Sequence, residues 1–265
     1  MDNFNCPCAP AREEWWDRLK RIFSGLIDLI FPPRRVCPLC GQAEPGSQIC
    51  PACLQKVWQY RAEPVCFRCG RYFRQELEED MQENLLLCRD CRTGPRNFFM
   101  ARSAGPYEGD LKGAVQRLKF YGKRDLAGHL ADMMFQSIVK NQYYMKTDII
   151  TAVPLSRERI KKRGFNQAEL LAFELAGRMT VPQLPLLQKV RETSPQTGLG
   201  RSGRKENLVG SFQITRPEAV RGKTLLLVDD VVTTGSTLDI VSEVLLGGGA
   251  ATVICITAAA GRTSI

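Results

Sequence analysis

The chain has one histidine in 265 residues, His129, and it sits inside a helical pattern of apolar residues, where a packing or surface role outweighs chemistry. No GxxxxGK[ST] sequence occurs, which removes the P-loop mode of phosphate binding for want of its lysine. Apolar runs of bilayer length are absent too. The longest near the N-terminus, "IFSGLIDLIF", is interrupted by Asp28 and spans about half a bilayer, so it reads as an amphipathic helix and not as an anchor or signal peptide. A soluble, cytoplasmic protein without membrane insertion is expected.

What is present suits a folded chain. A hydrophobic content of 44% is ordinary for globular proteins, and the length accommodates one full α/β domain plus a small module. The formal charge of +9 is uneven: residues 1–100 carry 14 basic against 13 acidic side chains, residues 101–265 carry 23 against 15. A positive field over the second part would attract a polyanionic small ligand or a nucleic acid, and composition does not separate the two.

Ten of the eleven cysteines precede residue 92. Eight form four C-x2-C pairs: Cys37 and Cys40, Cys50 and Cys53, Cys66 and Cys69, Cys88 and Cys91. Such a turn lets two thiolates reach one tetrahedral ion, so eight thiolates provide for two structural Zn2+ ions. Disulfides are the competing reading and fit an intracellular chain poorly. Gly41 and Gly70 follow the second thiolate of two pairs, where a left-handed turn is useful. Sequential pairing is the simpler arrangement, with nine residues between the first two knuckles and eighteen between the last two; a cross-brace stays open. Cys6 and Cys8 have the wrong spacing, and Cys255 lies in the apolar strand "TVICITA" as a core residue. The role of the module is structural by default, with a nucleic-acid-binding ribbon as the sharper alternative.

The stretch "KTLLLVDDVVTTGSTLDIV" poses the chemical question. Leu225–Val228 suits a strand buried on both faces. Asp229 and Asp230 follow, which at the carboxyl end of a parallel strand line the crevice where α/β sheets bind ligands. Thr233, Thr234, Gly235, Ser236 and Thr237 then offer hydroxyls, backbone N–H groups and close approach ahead of a helix N-terminus, which favours an anion. Carboxylates for a sugar diol and donors for a phosphate make a ribose-5-phosphate cradle; a strand with an ordinary helix cap is the plainer reading.

Elsewhere, "GDLKGAVQRLKF" and "LAGHLADMMF" carry helical periodicity on either side of Gly122, with Lys119, Tyr121, Lys123 and Arg124 at the joint. "TDIITAVPLS" reads as a buried strand over 148–153, followed by a basic loop from Arg157 to Arg163 and a helix starting near Asn166. "KVRETSPQTGLGRSGRKENLVGSF" has the polar, glycine-rich composition of a lid or of a surface loop. Strands alternating with helices from about residue 98 predict a parallel α/β sheet.

"LLLVDDVVTTGST" resembles the phosphoribosyl-pyrophosphate (PRPP) signature of type I phosphoribosyltransferases. Together with the Cys knuckles, "VPLSRERIKKRGFNQA" and "RETSPQTGL", it makes nearly the whole chain similar to the ComF family, also called competence protein F or GntX-like. The resemblance implies a parallel-sheet phosphoribosyltransferase-like domain over 96–265, a double zinc-ribbon module over 36–95 and a tail with an amphipathic helix over 1–35. It implies that Asp229 and Asp230 hold the ribose, Thr233–Thr237 the 5-phosphate, and Leu155, Ser156, Arg157 and Arg163 the pyrophosphate, with Arg191, Thr193, Gln196, Arg204 and Asn207 on a closing loop. It further implies PRPP with Mg2+ as ligand, a base or nucleotide-type acceptor, and single-stranded DNA and competence or DNA-processing proteins as partners. The rival it leaves is a non-catalytic, zinc-dependent single-stranded DNA adaptor or nucleotide sensor on the same fold.

Overall fold

The computed structural model describes residues 36–43, 48–74, 86–191 and 210–265. In chain order the elements are α1 (Pro51–Ala62), β1 (Tyr72–Phe73), α2 (Arg89–Thr93), β2 (Ala101–Ser103), α3 (Gly109–Phe120), α4 (Leu126–Val139), β3 (Ile149–Ala152), α5 (Arg157–Arg163), α6 (Gln167–Met179), β4 (Leu187–Lys189), β5 (Phe212–Ile214), α7 (Pro217–Val220), β6 (Thr224–Val232), α8 (Ser236–Gly247), β7 (Thr252–Ala260) and β8 (Arg262–Thr263). Four strands form one sheet in the order β2-β7-β6-β3, every pair parallel, which is the expected α/β architecture. No helix among the described residues is long and apolar enough to cross a membrane.

Alternation along the central strands sends side chains to two cores. Leu226, Val228, Ile254 and Ile256 pack with α3, α4 and α6 on one face, while Leu225, Leu227, Val253 and Cys255 pack with α8 on the other. Each core takes in one part of the cysteine module: Cys37 and Cys53 join the first, Cys66, Cys69 and Cys88 the second. The buried Tyr144 donates its hydroxyl to the Cys255 carbonyl at 2.7 Å, and Cys255 itself is fully buried, as a core residue should be.

The module is joined to the sheet by more than apolar packing. Tyr72 and Phe73 pair in parallel with Arg262 and Thr263, so the C-terminal strand runs into the ribbon. Arg262 donates to Glu63 on one side and Glu108 on the other, which ties the end of α1 to the start of α3. Gly70 has φ +67°, the left-handed turn expected after a knuckle, and a Cβ there would lie 2.4 Å from the Ala101 carbonyl oxygen on β2. Gly70→Ala is therefore expected to lower stability by about 2–5 kcal/mol through left-handed strain and backbone overlap. Urea unfolding of zinc-loaded parent and variant measures it.

Two sequence expectations need correction. The basic residues 157–163 form a two-turn helix rather than a loop, because Ser156 caps its start, accepting from the Arg159 N–H at 3.5 Å, and Gly164 (φ +77°) closes its end. The strand carrying the acid pair also continues past it, to Val232, because β7 pairs with it that far.

Candidate functional site

The site begins where β3 stops. Ala152 is the last residue of β3 and pairs with Val228, and the Val153 N–H donates to the Val228 carbonyl at 2.9 Å. From Asp229 onward β6 keeps β7 on one side and, among the described residues, has no strand on the other. The gap is a cleft of about 280 Å³ whose wall includes Asp229 and Asp230 from β6, Thr233 from the turn after it and Thr237 from α8, facing Leu155, Arg159 and Arg163 of the loop and helix after β3. This is the crevice position expected for a ligand in an open parallel sheet.

The two acids differ. Asp230 is buried, and the Lys119 ammonium from the end of α3 lies 2.7 Å from its Oδ2. Asp229 is half-buried, and its Oδ1 accepts the Asp230 N–H at 2.8 Å. Burial, and next the Asp230 charge, push the Asp229 carboxyl up to about 7 against the opposing pull of Lys119. A carboxyl raised in this way holds a proton in the folded state that the unfolded state has released, so native stability falls as pH rises from the ordinary carboxylate range through about 7. Asp229→Asn is expected to be more stable than the parent above about pH 7, the difference closing as pH falls; thermal midpoints of both proteins from about pH 4.5 to about pH 8.5 test the sign.

The turn after β6 is organised by its own hydroxyls. Thr234 Oγ1 lies 3.0 Å from Ser236 Oγ and accepts from the Ser236 N–H at 3.4 Å. Gly235 adopts φ +79° as the cap of α8, a conformation that favours glycine; the nearest neighbour a Cβ would meet there is the Arg96 guanidinium at 3.6 Å. Thr233 and Thr237 line the cleft, while Thr234 and Ser236 bond to each other.

Of the residues expected on the basic loop, Leu155 and Arg163 line the cleft. Ser156 is buried as the cap of α5, and Arg157 lines an adjoining cavity of about 530 Å³ together with Arg191. Leu155 and Lys189 border both cavities. Thr193, Gln196, Arg204 and Asn207 lie outside the described residues, as do Cys6 and Cys8; β4 and β5, which bracket the stretch holding the first four, pair antiparallel.

The cysteines resolve into two sequential clusters, Cys37, Cys40, Cys50, Cys53 and Cys66, Cys69, Cys88, Cys91, which removes the cross-brace. The Cys40–Cys50 sulfur separation is 3.8 Å and that of Cys69–Cys88 is 3.7 Å. A tetrahedron with Zn–S bonds of about 2.3 Å has edges of about 3.8 Å, so the donor sets fit zinc. Backbone N–H groups of Cys50 and Cys88 point at Cys37 and Cys66 sulfurs at 3.4 Å each, softening thiolate charge. Full sets of four leave no open position, so the two zinc ions are structural.

Residues 26–92 match the family profile described as double zinc ribbon domain, and residues 160–265 the one described as phosphoribosyl transferase domain. The chain is 34% identical over 199 residues to the DNA utilization protein YhgH of Salmonella typhimurium, covering 71% of this chain and 87% of that protein. The chain belongs to the ComF family. Competence protein F of Haemophilus influenzae is 29% identical over 202 residues, 74% of this chain and 83% of that one. A solved Bacillus subtilis glutamine PRPP amidotransferase, complexed with ADP and GMP, aligns at 16% identity and a TM-score of 0.37 over 54% of this chain and 30% of that chain. A likeness at that level carries no weight, and the fold rests on strand order and the family matches.

In this ComF-family chain the cleft recruits residues that sequence reading did not assign to it. Lys119 was one of several basic residues at the α3–α4 joint, and only its contact with Asp230 singles it out. Gln167 also lines the cleft: its Oε1 accepts from Arg163 Nη1 at 3.0 Å, while its buried Nε2 has no hydrogen-bond partner among the described residues. The signal for Gln167 was local, since Asn166 caps α6 and thereby sets the next residue at the first turn facing β6. Arg159 joins Arg163 as an α5 cation lining the cleft, while Arg157 lines the adjoining cavity, as the helical path of this segment dictates.

Proposed function

We propose that the chain binds PRPP with Mg2+ in the cleft over β6 and transfers the phosphoribosyl group to a base or nucleotide-type acceptor. The observation that carries this is the convergence of three chemistries on one cleft: the Asp229–Asp230 pair, the Thr233–Thr237 turn at a helix N-terminus, and the cations Arg159 and Arg163. The carboxylates accept from the ribose diol, the turn donates to the 5-phosphate, and the cations hold the pyrophosphate as it leaves. Mg2+, arriving with PRPP, would add charge neutralisation at the leaving group. The bond from the anomeric carbon to pyrophosphate oxygen breaks, a bond to the acceptor nitrogen forms, and the acceptor's proton goes to solvent or to the departing pyrophosphate. Positioning and fixed charge would supply most of the acceleration.

The test is pyrophosphate release from PRPP and Mg2+ in the presence of a panel of bases and nucleotides. Acceptor-dependent release supports transfer. Binding of PRPP without release by any acceptor would reduce the proposal to a PRPP-binding protein. The names of the relatives, DNA utilization and competence proteins, supply the setting we propose: a cytoplasmic protein in DNA uptake or use, with its ribbon module over 36–95 serving as scaffold for the domain over 96–265.

A second reading, single-stranded DNA binding without turnover, has one observation of its own. Phe120 and Tyr121 are 62% and 75% exposed beside the cleft. The Arg163 guanidinium lies over Phe120 at 5.2 Å, and that of Arg124 over Phe165 at 4.6 Å. Aromatic platforms amid basic groups suit stacked bases, each worth about 1–3 kcal/mol by alanine substitution. If DNA binds here, Phe120→Ala/Tyr121→Ala weakens binding of a labelled oligonucleotide at every salt concentration while leaving its salt slope unchanged; an unaffected affinity rejects this surface.

A further inference from the structure

We infer that Arg96, which enters from the cysteine-module side, is a positioning residue for the turn that receives the 5-phosphate, acting both as its brace and as its counter-charge. The inference rests on the PRPP reading above and deepens it. Arg96 lies five residues beyond the last thiolate, Cys91. Its side chain is 1% exposed, yet it reaches the far end of the chain: Nη2 donates to the Thr234 carbonyl at 2.9 Å, and the guanidinium lies beside Gly235.

The electrostatics say why a buried arginine is useful there. Asp239, in the first turn of α8, is 4% exposed and accepts from the Asn97 N–H at 2.7 Å and from Asn97 Nδ2 at 3.3 Å. A buried carboxylate beneath the turn would repel an incoming phosphate monoester and oppose the favourable helix terminus. Arg96 Nη1 sits 3.8 Å from Asp239 Oδ2, near enough to cancel that charge but too far for a hydrogen bond. Among the described residues its Nε has no hydrogen-bond partner. The buried pair beneath the turn is therefore net neutral, so a dianionic phosphate meets the helix terminus without a repelling carboxylate behind it, and the guanidinium keeps a free donor. Bracing follows from the same contact, since the Thr234 carbonyl is held so that the neighbouring backbone N–H groups stay directed at the ligand. Arg96 does not enter the wall of the cleft, and it acts through the turn.

The experiment separates the two halves of PRPP. Zinc-loaded parent, Arg96→Met and Arg96→Lys are titrated calorimetrically with ribose 5-phosphate and, separately, with pyrophosphate. Arg96→Met is expected to weaken ribose 5-phosphate by about tenfold to a hundredfold, the range for a lost charge-assisted contact. Pyrophosphate binding should stay within about twofold, as for distant independent sites. Arg96→Lys should fall between parent and Met, and Asp239→Asn added to Arg96→Met should recover part of the loss by removing the uncancelled carboxylate. Equal losses for both ligands would mean that the variant damages the fold at large and would overturn the positioning role. Unchanged ribose 5-phosphate affinity would overturn it as well while leaving the PRPP reading intact. A parent that binds pyrophosphate but not ribose 5-phosphate would overturn both.

Discussion

Asp229→Asn/Asp230→Asn is expected to lose PRPP·Mg binding by about a hundredfold to ten-thousandfold while remaining folded. Hydrogen bonds to charged groups contribute about 1.5–3 kcal/mol each, and two carboxylates are removed, which gives the stated range at about 1.4 kcal/mol per tenfold. Two further consequences act on the free protein in opposite directions. The Lys119 ammonium loses its partner at 2.7 Å, which destabilises; the raised Asp229 carboxyl, pushed up by burial and by Asp230, is replaced by a neutral amide, which stabilises. The fold should therefore survive, as a thermal melt would verify, and the loss of affinity can be read as loss of the sugar contacts. A double variant that binds as tightly as the parent would place the ligand elsewhere.

Removal of zinc is expected to have the largest effect on stability. Structural zinc contributes apparent free energies of about 10–16 kcal/mol in small peptides at neutral pH. Here each cluster belongs to one of the two cores of the sheet, so the loss should spread beyond the ribbon. The two sites are not equivalent. In the second, three of four cysteines are buried, and the buried Arg71 donates to Cys69 Sγ at 3.3 Å and Cys88 Sγ at 3.2 Å, offsetting the negative charge of four thiolates. In the first, Cys40 and Cys50 are half-buried, and the Asp110 carboxylate lies 3.7 Å from Cys53 Sγ. The first cluster should thus release its ion to a chromophoric chelator before the second, giving two phases of one zinc each, with a fall in thermal midpoint at both. Arg71→Met should accelerate the slower phase and leave the faster one alone. Release of both ions in a single phase from the parent would contradict this difference.

Much of this was legible in the sequence because it is local. The apolar run of β6, the acid pair and the hydroxyl turn are consecutive residues, and their order dictates strand, crevice and helix N-terminus without help from distant parts. Knuckle spacing likewise announced two metal sites, although only packing decided which pairs share an ion. Helix α5 was missed because "RERIKKR" buries none of its residues and so lacks an apolar period; its signals were the cap Ser156 and the terminator Gly164. Contacts across the chain left no trace. Lys119 looked like any basic residue near a turn, and the Arg96–Thr234 contact joins residues 138 positions apart.

On the proposed reading, the acid pair, the hydroxyl turn and the α5 cations form one cradle for PRPP and Mg2+. Calorimetric titration of the zinc-loaded chain with PRPP in the presence of Mg2+ tests it most directly. Saturable binding of one PRPP per chain is expected, weakened at least about a hundredfold in Asp229→Asn/Asp230→Asn. A folded, zinc-complete parent that gives no binding by heat or by competition would contradict it.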